Sequence, residues 1–281
     1  MTHVFRKLSV VFSAAALLGS LAVGSAFAAS EYPKKKPREQ SWSFSGPLGH
    51  YDKGQLQRGF KVYSELCAAC HTLNLISYRN LRDLGYTDDQ IKNYAAEYEV
   101  TDGPSEDGEM FERPATLTDR FVGPYANDKE AAAANNGALP PDFSLLAKAR
   151  APERGFPTFI FDIFTMYAAN GPDYIYSLLT GYEDPPEGEE VGDGLHYNPY
   201  FAAGSALAMA NPLSDDIVDY DDGSPQTVDQ YAKDVSAFMM WAAEPGLGQR
   251  KQTGFVVMLF LLVFAGLLYF AKKKVWSDVA H

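Results

Sequence analysis

"SELCAACHTLN", Ser64 to Asn74, holds both cysteines of this 281-residue chain, Cys67 and Cys70, with His71 directly after the second. In an exported protein two thiols three apart suggest a disulfide. The adjoining histidine changes that reading, because C-x-x-C-H is the attachment signature of a c-type haem. The two thiols add across the vinyl groups on one porphyrin edge, and the next residue's imidazole reaches the iron as proximal ligand. Zinc would need four ligands. No second Cys/His pair supplies them: His50, His196 and His281 are isolated, and His3 belongs to the N-terminal leader.

The flanks predict a helix running into this motif. Leu56, Phe60, Tyr63, Leu66 and Cys70 recur at steps of three or four, one helical face, and Gly59 leaves room for a second helix to approach. That second helix is expected in "TVDQYAKDVSAFMMWAAEPG". There Thr227 is a suitable N-cap, Val228, Tyr231, Ala232, Val235, Phe238, Met239 and Ala242 form an apolar stripe, and Pro245-Gly246 stops the run. A first helix running into the haem motif and a last helix packed across it resemble the plan of small c-type cytochromes, and that resemblance implies a mainly α fold: a class I cytochrome c-like haem domain with long loop insertions, plus one C-terminal transmembrane helix.

The N-terminus reads as a secretory leader over 1–28. Arg6 and Lys7 precede an apolar run that ends in the small-x-small site Ala26-Phe27-Ala28. Near the other end, Gly254 to Ala271 carries no charge over 18 residues. At ~1.5 Å per residue it spans roughly 27 Å, close to a bilayer's hydrocarbon core. Lys272, Lys273 and Lys274 follow it, and Tyr269 and Trp276 lie near that end. The leader and the positive-inside rule both put the lysine end inside. The expected plan is a periplasmic haem domain over 29–252, an anchor over 253–271 and a cytoplasmic tail over 272–281, in a bacterial inner (cytoplasmic) membrane. The formal charge is −12, and −14 once Arg6 and Lys7 are removed with the leader. So acidic a chain is no nucleic-acid binder, since phosphate contacts need Lys and Arg; it suits a basic protein partner.

A haem held by one histidine has a second axial position. Left open, it gives a catalytic or gas-binding site; closed by methionine, it gives an electron carrier. Of the seven methionines, Met1 is in the leader, Met110 in an acidic loop, Met239 and Met240 on the terminal helix and Met258 in the anchor. Met166 sits amid aromatics like a core residue, and Met209, in "GSALAMANP", sits among small residues that would not crowd a flat ring. Composition leaves both Met166 and Met209 standing, since most methionines only pack.

After CAACH come, in order, "NNGALPPDFSLLAKAR" (135–150), "DYIYSLLTGY" (173–182), "NPYF" (198–201), "DVSAFMMWAAEP" (234–245) and the anchor. This sequence of blocks resembles the cytochrome c1 family, the haem subunit of the cytochrome bc1 complex (ubiquinol–cytochrome c oxidoreductase), over nearly the whole chain after the leader. The resemblance implies that the haem c joined to Cys67 and Cys70 has Met209 opposite His71. It implies Arg150 on a propionate and Tyr174 in the pocket, with Asn135, Ala138 and Pro140 at the haem edge and Leu178, Leu179 and Phe201 nearby. Taken singly, each has an ordinary alternative as a surface charge or core residue. A carbonyl of the Pro140-Pro141 pair is expected to accept from the free ring nitrogen of His71.

The implied function is one-electron transfer in a respiratory or photosynthetic chain. The electron comes from the Rieske iron–sulfur protein and goes to a soluble basic cytochrome c, with no bond made on this chain. Cytochrome b and membrane lipid would surround the anchor, and the complex would be dimeric. The acidic runs "YEDPPEGEE" (182–190) and "SDDIVDYDDG" (214–223) are candidate docking surface, or plain solvated loops. An anchored monohaem cytochrome serving another oxidase or dehydrogenase would share the motif and the anchor but not the NNGALPPD and SLLTGY blocks. Two departures stand out. Some bacterial relatives carry an extra cysteine pair before the axial methionine, and this chain has none; and the aromatic segment 155–172 looks like an insertion, expected as a short surface helix or loop.

Overall fold

Asp52 opens the first helix, α1 (Lys53–Val62), its carboxylate accepting from the amide of Gln55 at 3.0 Å. The computed structural model describes residues 33–152, 155–165 and 170–278; the leader 1–28 and Met166 lie outside them. α1 buries Leu56, Gly59, Phe60 and Val62. It does not run on as one α-helix to Cys70. Over Tyr63–Cys67 it widens to a π turn, closed by the amide of Ala68 on the carbonyl of Tyr63 at 2.8 Å. The wider turn rotates every later side chain. Tyr63 is buried while Leu66 and Cys70 are only half-buried; Leu66 still packs against the core, so the predicted stripe thins after Tyr63.

The terminal helix of the domain, α7 (Val228–Ala243), starts where the sequence predicts: the Thr227 hydroxyl accepts from the amide of Gln230. Burial is broader than the predicted stripe. Tyr231, Ala232 and every residue from Asp234 to Ala242 are buried, because α1, α4 and α6 pack around it. α1 crosses it at Gly59, where a Cβ would lie 2.1 Å from the carbonyl oxygen of Asp234. An ion pair closes the crossing: Arg58 Nε donates to Asp234 at 2.9 Å, and the Asp234 side chain is wholly buried. Tyr220 Oη (3.0 Å) and Gln230 Nε2 (2.9 Å) donate to the same carboxylate.

Between these two helices lie a 3-10 turn (Tyr78–Leu84), α2 (Asp88–Ala95), α3 (Asp128–Ala134), α4 (Leu146–Ala149), α5 (Thr158–Thr165) and α6 (Asn170–Leu179). Two small antiparallel ladders join them, β1 (Glu99–Asp102) with β2 (Phe111–Pro114) and β3 (His196–Tyr197) with β4 (Ala206–Leu207). Segment 155–172 divides. Phe156 and Phe161 are exposed around α5, as expected of a surface helix, whereas Gly171 and Pro172 are buried at the start of α6. A Cβ at Gly171 would lie 1.5 Å from the Ala147 carbonyl, so α6 meets α4 backbone to backbone. An N-terminal arm straps α6: the Arg38 amide donates to Ser177 Oγ (2.7 Å), and the Gln40 amide and Trp42 Nε1 donate to buried Asp173 (2.9 and 2.8 Å).

The last helix, α8 (Leu247–Val275), is 29 residues long, and only Leu247 and Lys251 of it are buried against the domain. Its remaining apolar surface is open. Its length and apolar composition fit one transmembrane helix.

Candidate haem site

Two hydrogen bonds on one carbonyl build the motif turn. The amides of Cys70 (3.1 Å) and His71 (2.9 Å) both donate to the Cys67 oxygen, folding the two thiols and the imidazole into a single turn. Both cysteines are free thiols. Burial, and then the neighbouring Cys70, pushes the Cys67 thiol up to about 12. A thiol–disulfide catalyst needs the opposite, a thiol made acidic by its surroundings.

His71 is fixed by the loop that follows α3. Its Nδ1 lies 2.8 Å from the Pro141 carbonyl. A carbonyl only accepts, so Nδ1 carries the proton and Nε2 keeps the free lone pair that a metal requires. The carbonyl is that of Pro141, the second of the proline pair. The ring stacks on Phe143 with centroids 4.2 Å apart. Burial holds the imidazole below its ordinary pKa, against the opposing effect of the Pro141 hydrogen bond, and so keeps it a neutral donor. Asp142 locks the two loops together. It accepts from Thr72 Oγ1 (2.7 Å) and the amides of Asn74 (2.8 Å) and Ser144 (2.8 Å).

The other predicted residues fall on two further segments. Cys67, Leu178 and Met209 pack against one core cluster that includes Phe143, Tyr174 and Leu179. Tyr174 and Leu179 are buried on α6 and Leu178 is half-buried. Asn198, fully buried, ties the NPYF loop beneath that helix by donating to the Leu178 carbonyl at 2.8 Å. Phe201 is half-buried in this loop, and the Ala202 amide donates to the Tyr174 hydroxyl at 3.3 Å. The β3–β4 ladder returns the chain, and Tyr182 Oη holds the Met209 carbonyl at 3.0 Å. Arg150 is exposed just beyond α4, pairs with no carboxylate among the described residues, and lies close enough to act on the Tyr174 phenol. Ala138 and Pro140 are half-buried ahead of Pro141. The Asn135 side-chain amide is engaged locally, donating to Tyr125 Oη and the Ala131 carbonyl at the end of α3. His196 and His50 are exposed.

Free thiols at vinyl spacing and an imidazole oriented with Nε2 unprotonated fit haem c. With the C-terminal span, this is the build of a membrane-anchored c-type cytochrome. The cytochrome C1 family profile matches residues 42–279. A cytochrome c1 of Blastochloris viridis is 46% identical over 271 residues, 93% of this chain and 96% of its own. A mitochondrial cytochrome c1 haem protein of Arabidopsis thaliana is 46% identical over 240 residues, 85% of this chain and 72% of its own. A cytochrome b/c1 of Bradyrhizobium diazoefficiens is 50% identical over 275 residues; these cover 96% of this chain and 39% of that longer relative. The chain belongs to the cytochrome c1 family, haem c-bearing electron-transfer subunits of the bc1 complex.

Sequence reading missed Phe143, Asp142, Tyr182 and Asp173 as supports of the site. Phe143 and Asp142 directly follow the proline pair, so the same segment carried them, but only the packed loop shows what they touch. Tyr182 and Asp173 act through contacts made far along the chain, and no local pattern announces them.

Proposed function

We propose that this chain takes one electron at a time from the Rieske iron–sulfur protein and gives it to a soluble basic cytochrome c, from a haem domain on the periplasmic side of a bacterial inner membrane. Beside it stand cytochrome b and membrane lipid, in a dimeric complex. The observation that carries the reading is the hydrogen bond from His71 Nδ1 to the Pro141 carbonyl, which leaves the Nε2 lone pair free to ligate a haem iron. When bound, the haem supplies a one-electron iron couple. Cys67 and Cys70 would hold it covalently, and His71 and Met209 would ligate its iron. The carbonyl bond from Tyr182 keeps the Met209 loop in place. Arg150 offsets a propionate charge. Tyr174, Leu178, Leu179 and Phe201 exclude water, with Asn135, Ala138 and Pro140 along the edge. With both His71 and Met209 on the iron, no position would be left for an exogenous ligand, which favours transfer over catalysis.

Replacing Met209 tests this directly. The reduced wild-type protein should not bind carbon monoxide at neutral pH, whereas Met209→Leu should. Axial ligands set haem potentials over about 0.8 V, so the variant's midpoint should drop by on the order of 100 mV. An unchanged midpoint would move the ligand to another residue.

A further inference from the structure

Lys251 is the one lysine buried among the described residues, at 4% exposure, and it faces no carboxylate within ion-pair distance. Its ammonium instead donates to three backbone carbonyls, those of Phe44 (2.6 Å), Gly46 (2.6 Å) and Gly49 (3.4 Å). An ammonium has three N–H bonds, so all are engaged, and a buried cation without such partners would be costly. The loop is shaped to offer them. Gly46 has φ +74°, and a Cβ at Gly49 would lie 2.0 Å from the Ser45 carbonyl. Trp42 and Phe44, stacked with centroids 5.5 Å apart, root the loop in the core. At its far end Tyr51 Oη lies 3.1 Å from the carbonyls of both Met240 and Glu244.

This cage sits at a chain bend with few other fastenings. α7 ends at Ala243, three residues intervene, and α8 begins with Leu247. Leu247 and Lys251 are the only residues of α8 buried against the domain. The Glu244 carboxylate adds one tie across the bend, to Arg250 (2.6 Å), and one back to α4, to Lys148 (2.6 Å). Lys251 stands three residues before the charge-free run, about 4.5 Å along the helix from its start. We propose that Lys251 is a positioning residue for electron transfer: by gripping the 44–49 loop it locks the first turn of α8 to the haem domain, fixing the tilt and height of the haem above the bilayer. This rests on the reading that α8 spans the membrane and the domain lies outside it. Electron transfer slackens steeply with distance, so a haem free to swing on a three-residue bend would spend time out of reach of its donor.

The test uses the full-length, haem-loaded chain in its native membrane, oriented as multilayers. Paramagnetic resonance of the oxidised haem then gives the angular spread of the haem plane about the membrane normal. Lys251→Met should at least double the wild-type spread while absorption spectrum and midpoint stay unchanged. Lys251→Cys should behave likewise, and alkylation with bromoethylamine, which rebuilds an ammonium of lysine length, should restore the narrow spread. An unaltered spread in Lys251→Met overturns the proposal. Should that variant fail to accumulate, Gly46→Val disturbs the carbonyl cage from the loop side, because a β-branched residue is strained at positive φ. It too should broaden the spread, and a narrow one is equally fatal. Failure of the anchor reading would show separately, as release of wild-type protein from membranes by alkaline carbonate.

Discussion

His71 is held from two directions, by the Pro141 carbonyl through Nδ1 and by the face of Phe143. Both come from one loop, and Asp142 between them staples that loop to the stretch just after the motif. The staple depends on both carboxylate oxygens: one takes Thr72 and Asn74, the other Ser144. An asparagine keeps only one acceptor oxygen, so Asp142→Asn leaves a donor facing donors. A hydrogen bond to a charged group contributes about 1.5–3 kcal/mol, and Asp142→Asn is expected to cost about that much in denaturant unfolding of the holoprotein. A loss under 0.5 kcal/mol would show that the proline loop holds itself.

Helix pairing is decided at one crossing. Gly59 lets α1 touch the backbone of α7, and Arg58 next to it meets buried Asp234. Arg58→Met keeps much of the stem's packing but leaves the carboxylate with only neutral donors, Tyr220 and Gln230. Removing one partner of a buried ion pair typically costs 3–5 kcal/mol; roughly 3 kcal/mol is expected here, read from the shift in denaturation midpoint. Tyr220→Phe, which removes a single neutral donor, should cost about 1 kcal/mol. At the other end of α7, burial raises the Glu244 pKa, but the bonds from Lys148 and Arg250 outweigh it and hold the carboxyl below its ordinary value. A depressed folded pKa favours the ionised form in the fold. That stability is present above the unfolded value of about 4.3 and is lost as pH falls through the folded pKa. The difference in Tm between wild type and Glu244→Gln should therefore be largest near pH 6–7 and shrink below about pH 4. A difference constant over that range would remove the ionic contribution.

Across the whole molecule the acidic surface is smaller than the sequence makes it. Lys34 pairs with Glu189 and Lys35 with Glu183 (2.7 Å), so the N-terminal arm neutralises part of the 182–190 run. Arg58 likewise takes Asp222 (2.7 Å), leaving Asp184, Glu187, Glu190, Asp216 and Asp219 exposed. Exposed pairs add little stability, but their charges still enter the long-range field that steers a basic partner. With a basic cytochrome c at low salt, the second-order rate should fall as ionic strength rises. The double variant Lys34→Ala, Lys35→Ala should react several-fold faster with a steeper salt dependence. A rate indifferent to salt in both proteins would end the acidic-docking reading.

The cofactor type, the Thr227 start of the terminal helix, the close approach at Gly59 and the apolar C-terminal span were legible in sequence, because each depends on residues near one another in the chain. The π turn after α1 was not, since a residue's extra rotation leaves the apolar spacing readable as a plain helix. Nor could local pattern choose Pro141 over Pro140 as the partner of His71, or see Lys251 closing on carbonyls some 200 residues away. Those contacts exist only once distant backbone atoms are brought to hydrogen-bond range, and only tertiary packing sets which donor meets which acceptor.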